Sequence, residues 1–378
     1  MLSAVVNIIL FIFVIGFLTL IHELGHFLAA KAVGAGVYEF SLGFGPKLLS
    51  KKYKETLYCV RAIPLGGFVK ILGDGDPSEY EKKGEDLSKS EYNLNNKSKI
   101  AQIFVMLAGV LMNILFAIFF YYIILAFNGW KTSPVYVDLS GVNVVNANVE
   151  KILGYSVLED GNAIKSGIPE YGVIKGINGI EVVDKDALTA EIERANEVTL
   201  SVCDDMGKEC GEYLITVNEE GKIGIFLSYG YILNYSDNKI LAGPLYLTNN
   251  LKIMGRVLSS MLGTAKETGD YSDLSNTVTG PIGIFLLIDS LKTRGFLVFL
   301  SLVADLSISL AIMNLLPIPA LDGGRIFIVA LEGIFRKDFD EKLKAIIING
   351  SMIFLMILVV LVMVKDIINI DTMKEMLG

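Results

Sequence analysis

Long apolar runs alternate with polar segments along this chain. Four runs, at residues 2–30, 100–127, 296–321 and 346–364, approach or exceed the roughly 20 residues that a membrane-spanning helix needs. With their flanking residues, they predict membrane spans at 1–31, 100–127, 296–325 and 345–368. In the third span, Pro317 and Pro319 are expected to break the helix before Asp322. No charged segment precedes the first run and no small-x-small site follows it, so we expect it to be retained rather than removed as a signal peptide.

Between the first two runs, residues 36–73 have the pattern of a β-sheet. Short apolar stretches alternate with glycine and proline, which is typical of strands and turns. Because open sheet edges cannot face lipid, this membrane-associated β-sheet must lie against protein or a wet cavity. Its edge could accept an extended peptide as an added strand, or the segment could be a purely structural hairpin. Residues 74–99 are polar, and we expect a cytosolic loop there.

Short strand-like segments with turns fill residues 143–235 and predict one compact domain. Asn178 and Gly179 stand between two apolar strands, where they predict a tight hairpin. Residues 244–264 form an amphipathic helix that fits either the outer membrane interface or the surface of this domain.

The composition supports a membrane protein and excludes one class of partner. The chain is 52% hydrophobic with a net charge of −8 and a mean hydropathy of +0.53. Such a charge argues against nucleic acid as a partner. Basic residues concentrate after the first run and between the last two, which places both segments in the cytosol. The acid-rich segment between the second and third runs then lies outside, as does the N-terminus.

Two of the three cysteines, Cys203 and Cys210, fall in that external segment. A disulfide between them is possible in an oxidising compartment. Free thiols are an equal alternative, because the loop that such a bond would close is small.

The only two histidines of the chain, His22 and His26, form an H-E-x-x-H motif with Glu23 at the end of the first run. Residues four apart share a helix face, so both imidazoles can reach one metal ion. Glu23 would then lie beside the metal and take a proton from a bound water. The motif also arises by chance, but these three side chains are costly within a membrane helix unless they pair or bind something. The motif therefore favours a Zn²⁺ site within the membrane.

A catalytic zinc takes three protein ligands, and no third histidine remains. Asp305 and Asp322 both lie in the third run. The first and third runs both point toward the cytosol, and Asp322 lies at the cytosolic end, as do the histidines. Asp305 is roughly 25 Å away along a helix, so we interpret it as a structural carboxylate. The alternative for Asp322 is an ordinary helix-end residue.

Asn113 is a polar residue in the apolar second run, and we expect it to make an interhelical hydrogen bond.

Several motifs occur together in this one chain. The H-E-x-x-H motif at 22–26 is accompanied by N-x-x-P-x-P-x-L-D-G at 314–323. Segments 41–46 and 63–70, the set Ala108, Gly109 and Asn113, and residues 280–283 add to the pattern. Together they resemble the site-2 protease family of intramembrane zinc metalloproteases, in its bacterial regulator-of-sigma-E protease branch. Val110 stands where that family commonly has proline.

The resemblance implies a fold and a location. The fold is a polytopic α-helical membrane protein with four transmembrane helices, a membrane-associated β-sheet and one extracytoplasmic PDZ-like α+β domain at 143–235. The location is the bacterial cytoplasmic (inner) membrane. The implied substrate is a single-pass membrane protein that has already lost its outer domain, such as an anti-sigma factor or a signal-peptide remnant.

The resemblance also assigns roles to individual residues. It implies zinc ligands at His22, His26 and Asp322, a catalytic base at Glu23, and a contact between Asn314 and the substrate backbone. We further expect the substrate to pair, extended, with the sheet edge whose residues are Gly66, Gly67 and Phe68.

Two other functions stay open on the sequence. A membrane zinc peptidase of another family would take its third ligand from a glutamate on a different helix. A non-catalytic PDZ-bearing membrane scaffold would hold a structural metal with four ligands. The sequence makes no prediction of oligomeric state.

Overall fold

The computed structural model describes residues 2–74, 90–158, 160–204, 209–292, 295–371 and 373. The chain divides into two compact units, one of Met1–Phe120 with Ser275–Gly378 and one of Tyr121–Leu274. Most of the predicted cytosolic loop at 74–99 lies outside the described residues. Its end contains a short 3₁₀ helix, Leu94–Asn96.

Helices and strands follow one another in an order that the sequence pattern largely anticipates. The helices are α1 (Leu2–Ala32), α2 (Lys99–Phe127), α3 (Asn162–Lys165), α4 (Lys185–Glu193), α5 (Ala242–Thr268), α6 (Ser272–Thr277), α7 (Pro281–Leu291), α8 (Phe296–Leu315), α9 (Asp322–Phe335) and α10 (Glu341–Ile368). The strands are β1 (Val37–Tyr53), β2 (Thr56–Ile71), β3 (Asn148–Val157), β4 (Tyr171–Ile177), β5 (Ile180–Glu181), β6 (Glu197–Cys203), β7 (Cys210–Thr216) and β8 (Ile225–Asn234).

Four helices of the described chain, α1, α2, α8 and α10, are long and apolar enough to cross a membrane. Helix α7 is apolar but shorter. The segment predicted as one span, 296–325, is divided between two helices. Helix α8 ends at Leu315 because Pro317 and Pro319 lack the amide hydrogen that a continuing helix would use. Helix α9 then begins at Asp322.

In the first unit, β1 and β2 curl into a four-segment sheet. Residues 39–42 pair on one side with 57–60 and on the other with 67–70, while 57–60 also pair with 49–52. Among the described residues, segment 67–70 therefore pairs on one side only. Helix α1 lies close to the same strand, since a Cβ added at Gly16 would meet the Pro64 carbonyl oxygen at 2.5 Å. The sheet thus presents an edge beside α1.

Helix α7 is held at its start by a side chain from α10. The carboxylate oxygen Oδ2 of Asp366 accepts hydrogen bonds from the backbone amides of Gly280 and Gly283, at 3.1 and 3.0 Å. Because the first amides of a helix have no partners inside it, this fully buried carboxylate satisfies two of them. Apolar residues of α7 then pack against α1 and α8.

The second unit is built on an antiparallel sheet with strand order β7-β6-β4-β3-β8, and β5 pairs with β4. Asn178 and Gly179 both have positive φ, as a type I′ turn between β4 and β5 requires. Cys203 and Cys210 form a disulfide between the ends of β6 and β7. Helix α5 buries Ile253 and other apolar residues against this unit, while Leu258 and its neighbours along the helix stay exposed.

Candidate active site

Helix α1 brings the two histidines together one turn apart. His22 and His26 are 7% and 8% exposed, and their Nε2 atoms lie 3.1 Å from each other. The two rings are nearly perpendicular, with centroids 4.7 Å apart. Both Nε2 atoms therefore point at a common position.

Asp322 reaches the same position from a distant part of the chain. As the first residue of α9, it follows the proline-containing break and directs its Oδ2 atom at the histidines. This atom lies 3.0 Å from His22 Nε2 and 3.3 Å from His26 Nε2. Asp305, the other candidate of the third run, lies half-buried on α8. The group of potential metal ligands found in the described chain contains Asp322 and does not contain Asp305.

Helix α2 approaches α1 closely behind the histidines. A Cβ at Gly25 would lie 2.3 Å from the Ala108 carbonyl oxygen, and one at Gly109 would lie 2.4 Å from His26 Nε2. Such distances are far below ordinary contact, so only glycine fits at either position without movement. The two helices can pack this tightly because the residues at their crossing are small.

The outer ring nitrogens of the histidines face groups of α2. His26 Nδ1 lies 2.8 Å from the backbone carbonyl oxygen of Val105. His22 Nδ1 lies 3.4 Å from the Nδ2 atom of Asn113. The sequence predicts only an unspecified interhelical hydrogen bond from Asn113 and does not identify Val105. Asn113 can be found because it is a polar residue within an apolar span, whereas a backbone carbonyl such as that of Val105 has no signal in the sequence.

The side chain of Glu23 extends from α1 to the sheet edge. Its Oε2 atom accepts a hydrogen bond from the backbone amide of Val69, at 3.1 Å. A Cβ at Gly67 would lie 3.8 Å from Glu23 Cγ and 2.7 Å from the Ser41 carbonyl oxygen. The carboxylate is therefore held beside the pair of histidines and against the edge strand.

The other residues predicted to contact substrate lie on the edge strand and at the end of α8. Gly66 has a φ of +125°, a conformation available essentially to glycine alone. Phe68 stacks with Phe44 at a ring-centroid distance of 6.1 Å, and the Arg61 guanidinium lies 5.1 Å from the Phe68 ring centroid. Asn314 lies half-buried in the last turn of α8.

Ion pairs fix α9, the helix that begins with Asp322. Arg325 pairs with Asp74 at the end of the sheet segment. Glu332, 3% exposed, pairs with Lys99 at 2.6 Å and Lys344 at 3.1 Å. Burial alone would raise the pKa of Glu332, but the hydrogen bonds from Lys99, the Phe339 amide and Lys344 outweigh it and hold that pKa below its usual value.

The three converging ligand atoms fit a zinc ion. Two imidazole nitrogens and one carboxylate oxygen lie within 4.8 Å of one another, and this is a set of three ligands that catalytic zinc sites use. Asp322 Oδ2 is buried and has no hydrogen-bond donor among the described residues. Its contacts with the histidines become hydrogen bonds only if the Nε2 atoms carry protons. An acceptor oxygen facing two nitrogen lone pairs is the arrangement that a cation stabilises.

Comparison with known proteins identifies one protein family that this chain matches. The model of peptidase family M50 matches residues 10–358. A Clostridium perfringens protein, provisionally named a zinc metalloprotease, is 31% identical over 93% of this chain and 95% of its own length. A Fusobacterium nucleatum protein with the same provisional name is 32% identical over 93% and 96%. The regulator of sigma-W protease RasP of Bacillus subtilis is 27% identical over 96% and 98%.

Proposed function

The chain belongs to peptidase family M50, the site-2 protease family, and is a zinc metalloprotease; from this premise we propose that it cleaves its substrate within the membrane. The substrate bond would lie within or near the transmembrane segment of another protein. The observation that carries this proposal is the burial of His22 and His26 in α1, a helix that is itself long and apolar enough to span a membrane. Metal ligands within such a helix would act on a chain that is itself embedded in lipid.

We assign the zinc ligands to His22, His26 and Asp322, whose donor atoms converge. Zinc, when bound there, supplies Lewis acidity that acidifies a water molecule and polarises a peptide carbonyl. The Val105 carbonyl oxygen lies against the outer nitrogen of His26, as partners that orient metal ligands do.

Glu23 is the proposed catalytic base. It is adjacent to His22 in sequence, and its carboxylate is held by the Val69 amide. From that position it accepts a proton from the attacking water and later gives it to the leaving amine. Asp322 takes no part in this proton transfer, because its carboxylate is assigned to the metal.

The edge strand would hold the substrate extended. A helical substrate satisfies its backbone amides internally, so its scissile bond becomes accessible only after local unwinding. An added strand at Gly66, Gly67 and Phe68 would replace the lost helical hydrogen bonds with those of a sheet. The side chain of Asn314 is proposed to hold the substrate backbone. The edge passes directly by Glu23, which is where a bond to be cleaved must lie.

We propose that the second unit takes part in substrate selection. We propose that residues 143–235 form a PDZ-like domain outside the cytoplasmic membrane and that the N-terminus is also outside. There the domain would exclude proteins with large outer domains or sense a newly cut end. The substrate class is then a pre-cleaved single-pass membrane protein, such as an anti-sigma factor or a signal-peptide remnant.

The test separates the base from the metal ligands. Purified Glu23→Gln protein should keep its zinc and its thermal stability but cleave a membrane-embedded model substrate about 10³-fold more slowly. Asp322→Ala should lose zinc and cleavage together. Asp305→Asn, a matched change on α8, should keep both. Cleavage retained by Glu23→Gln would refute the base assignment, and cleavage restricted to soluble peptides would refute the intramembrane proposal.

A further inference from the structure

We propose that Asn113 is a positioning residue that orients the His22 ring through its Nδ1 atom. The inference rests on the proposed role of His22 as a zinc ligand. It concerns an amide on α2 that contacts the Nδ1 atom of His22, whereas Asp322 lies at Nε2. Asn113 is fully buried, and His22 is 91 residues away in sequence.

Zinc ligation imposes one protonation pattern on each histidine. A neutral imidazole carries its proton on one ring nitrogen and a lone pair on the other. Because Nε2 of His22 and Nε2 of His26 both point toward Asp322, ligation requires the lone pairs there and the protons on Nδ1. Each Nδ1–H then needs an acceptor inside a buried site.

For His26 the acceptor is already in place. Its Nδ1–H can donate to the Val105 carbonyl oxygen at 2.8 Å, an ordinary hydrogen-bond length. Since this oxygen belongs to the backbone of α2, no substitution of a side chain removes it. His26 therefore serves as an internal reference for His22.

For His22 the neighbour is a side-chain amide. Asn113 Nδ2 lies 3.4 Å from His22 Nδ1, so two donors would face each other if Nδ1 carries the proton. Asn113 Oδ1 is buried and has no hydrogen-bond partner within the described part of the chain. Turning the amide by 180° exchanges its oxygen and nitrogen and lets His22 Nδ1–H donate to Oδ1. One rotation thus removes the opposed donors and gives the buried acceptor a hydrogen-bond donor.

Asn113 is itself held between two other helices. Its backbone carbonyl oxygen accepts a hydrogen bond from Ser307 Oγ at 2.9 Å. Ser307 is buried on α8, the helix that precedes the proline-containing break and Asp322. This hydrogen bond joins α2 to α8 at Asn113. It therefore fixes the position of Asn113 relative to the segment that carries Asp322, the proposed third ligand.

The experiment measures zinc affinity by chelator competition in purified wild type, Asn113→Leu and Asn113→Asp. Removing the partner of a metal-ligating histidine typically weakens metal binding by about 10–100-fold, and we expect this for Asn113→Leu. Asn113→Asp keeps an acceptor for Nδ1–H and should bind zinc within a few-fold of wild type. If Asn113 served only to join helices, the buried carboxylate of Asn113→Asp would not restore zinc affinity.

A second readout reports the hydrogen bond directly. The chain has only two histidines, so ¹⁵N-histidine labelling reports on these two rings alone. In zinc-loaded wild type and Asn113→Asp, two Nδ1–H signals protected from solvent exchange are expected. In Asn113→Leu one should lose its protection while the other, bonded to Val105, keeps it.

Asn7→Leu is the matched control. Asn7 is a buried asparagine on α1 that donates to Asp289 at 2.6 Å, and its loss should leave zinc affinity unchanged. Wild-type affinity in Asn113→Leu, or equal weakening in Asn113→Leu and Asn113→Asp, would overturn the positioning role. A His22→Ala/His26→Ala variant that keeps its zinc would instead overturn the ligand assignment on which the inference rests.

Discussion

Gly109 faces the two histidines from α2, and one added methyl group there should disable the metal site. In Gly109→Ala the new Cβ would lie 2.4 Å from His26 Nε2 and 2.7 Å from His22 Cε1. Contacts between real atoms of this kind start near 3.4 Å. The nearer imidazole, or the whole of α2, would therefore have to move by about 1 Å.

That displacement exceeds what a zinc site tolerates. Metal–ligand distances are held within about 0.2 Å, and functional groups within about 0.5 Å of their working positions. Because the methyl group meets two of the three proposed ligands, we expect zinc affinity to fall at least about 10-fold. Cleavage of a membrane-embedded substrate should fall about 100-fold. Chelator competition and a cleavage assay in detergent measure the two losses.

Gly350→Ala on α10 is the matched control. A Cβ at Gly350 meets nothing within 4 Å, so this change should leave zinc and cleavage unaltered. It should also stabilise the helix by up to about 1 kcal/mol, because alanine loses less conformational freedom than glycine.

A variant without the two histidines tests whether the imidazoles are the obstructing groups. If the obstructing atoms are those of the imidazoles, adding Gly109→Ala to a His22→Ala/His26→Ala protein should not lower its thermal unfolding temperature. The same temperature drop with and without the histidines would show that the methyl group clashes elsewhere. Unchanged zinc affinity in the single Gly109→Ala variant would refute the close approach of α2 to the site.

Two further outcomes concern stability. Glu332→Gln should destabilise the protein by about 2 kcal/mol at neutral pH, because Lys99 and Lys344 lose a buried anionic partner but still reach solvent. Folding lowers the pKa of Glu332, so the stability difference between wild type and Glu332→Gln should hold above the usual glutamate pKa and shrink as the pH falls through the folded value. Urea or thermal unfolding at several pH values measures this difference. A stability difference that widens in acid would contradict the prediction. Replacing Cys203 and Cys210 with serine should cost about 2 kcal/mol in the second unit through the lost loop closure, whereas insensitivity of the unfolding midpoint to reducing agent would count against the disulfide.

The sequence by itself determined the features that depend on local pattern. Hydropathy identified the four long apolar helices, because spanning a bilayer requires a minimum apolar length whatever the neighbours are. The i, i+4 spacing placed His22 and His26 on one face, because helix geometry is the same in every protein. The prolines predicted the break before Asp322. The expectation of a zinc metalloprotease of the site-2 protease family is confirmed by the comparisons.

Tertiary structure decided which distant groups meet. The Val69 amide bonds Glu23 across 46 residues, and the Val105 carbonyl reaches His26 across 79. Every residue carries a backbone carbonyl, and every residue except proline carries a backbone amide N–H, so no sequence pattern marks either group. The side of the sheet that is left as an edge also follows from packing between segments. Local periodicity fixes what each element is, whereas close packing of whole surfaces fixes where its side chains end.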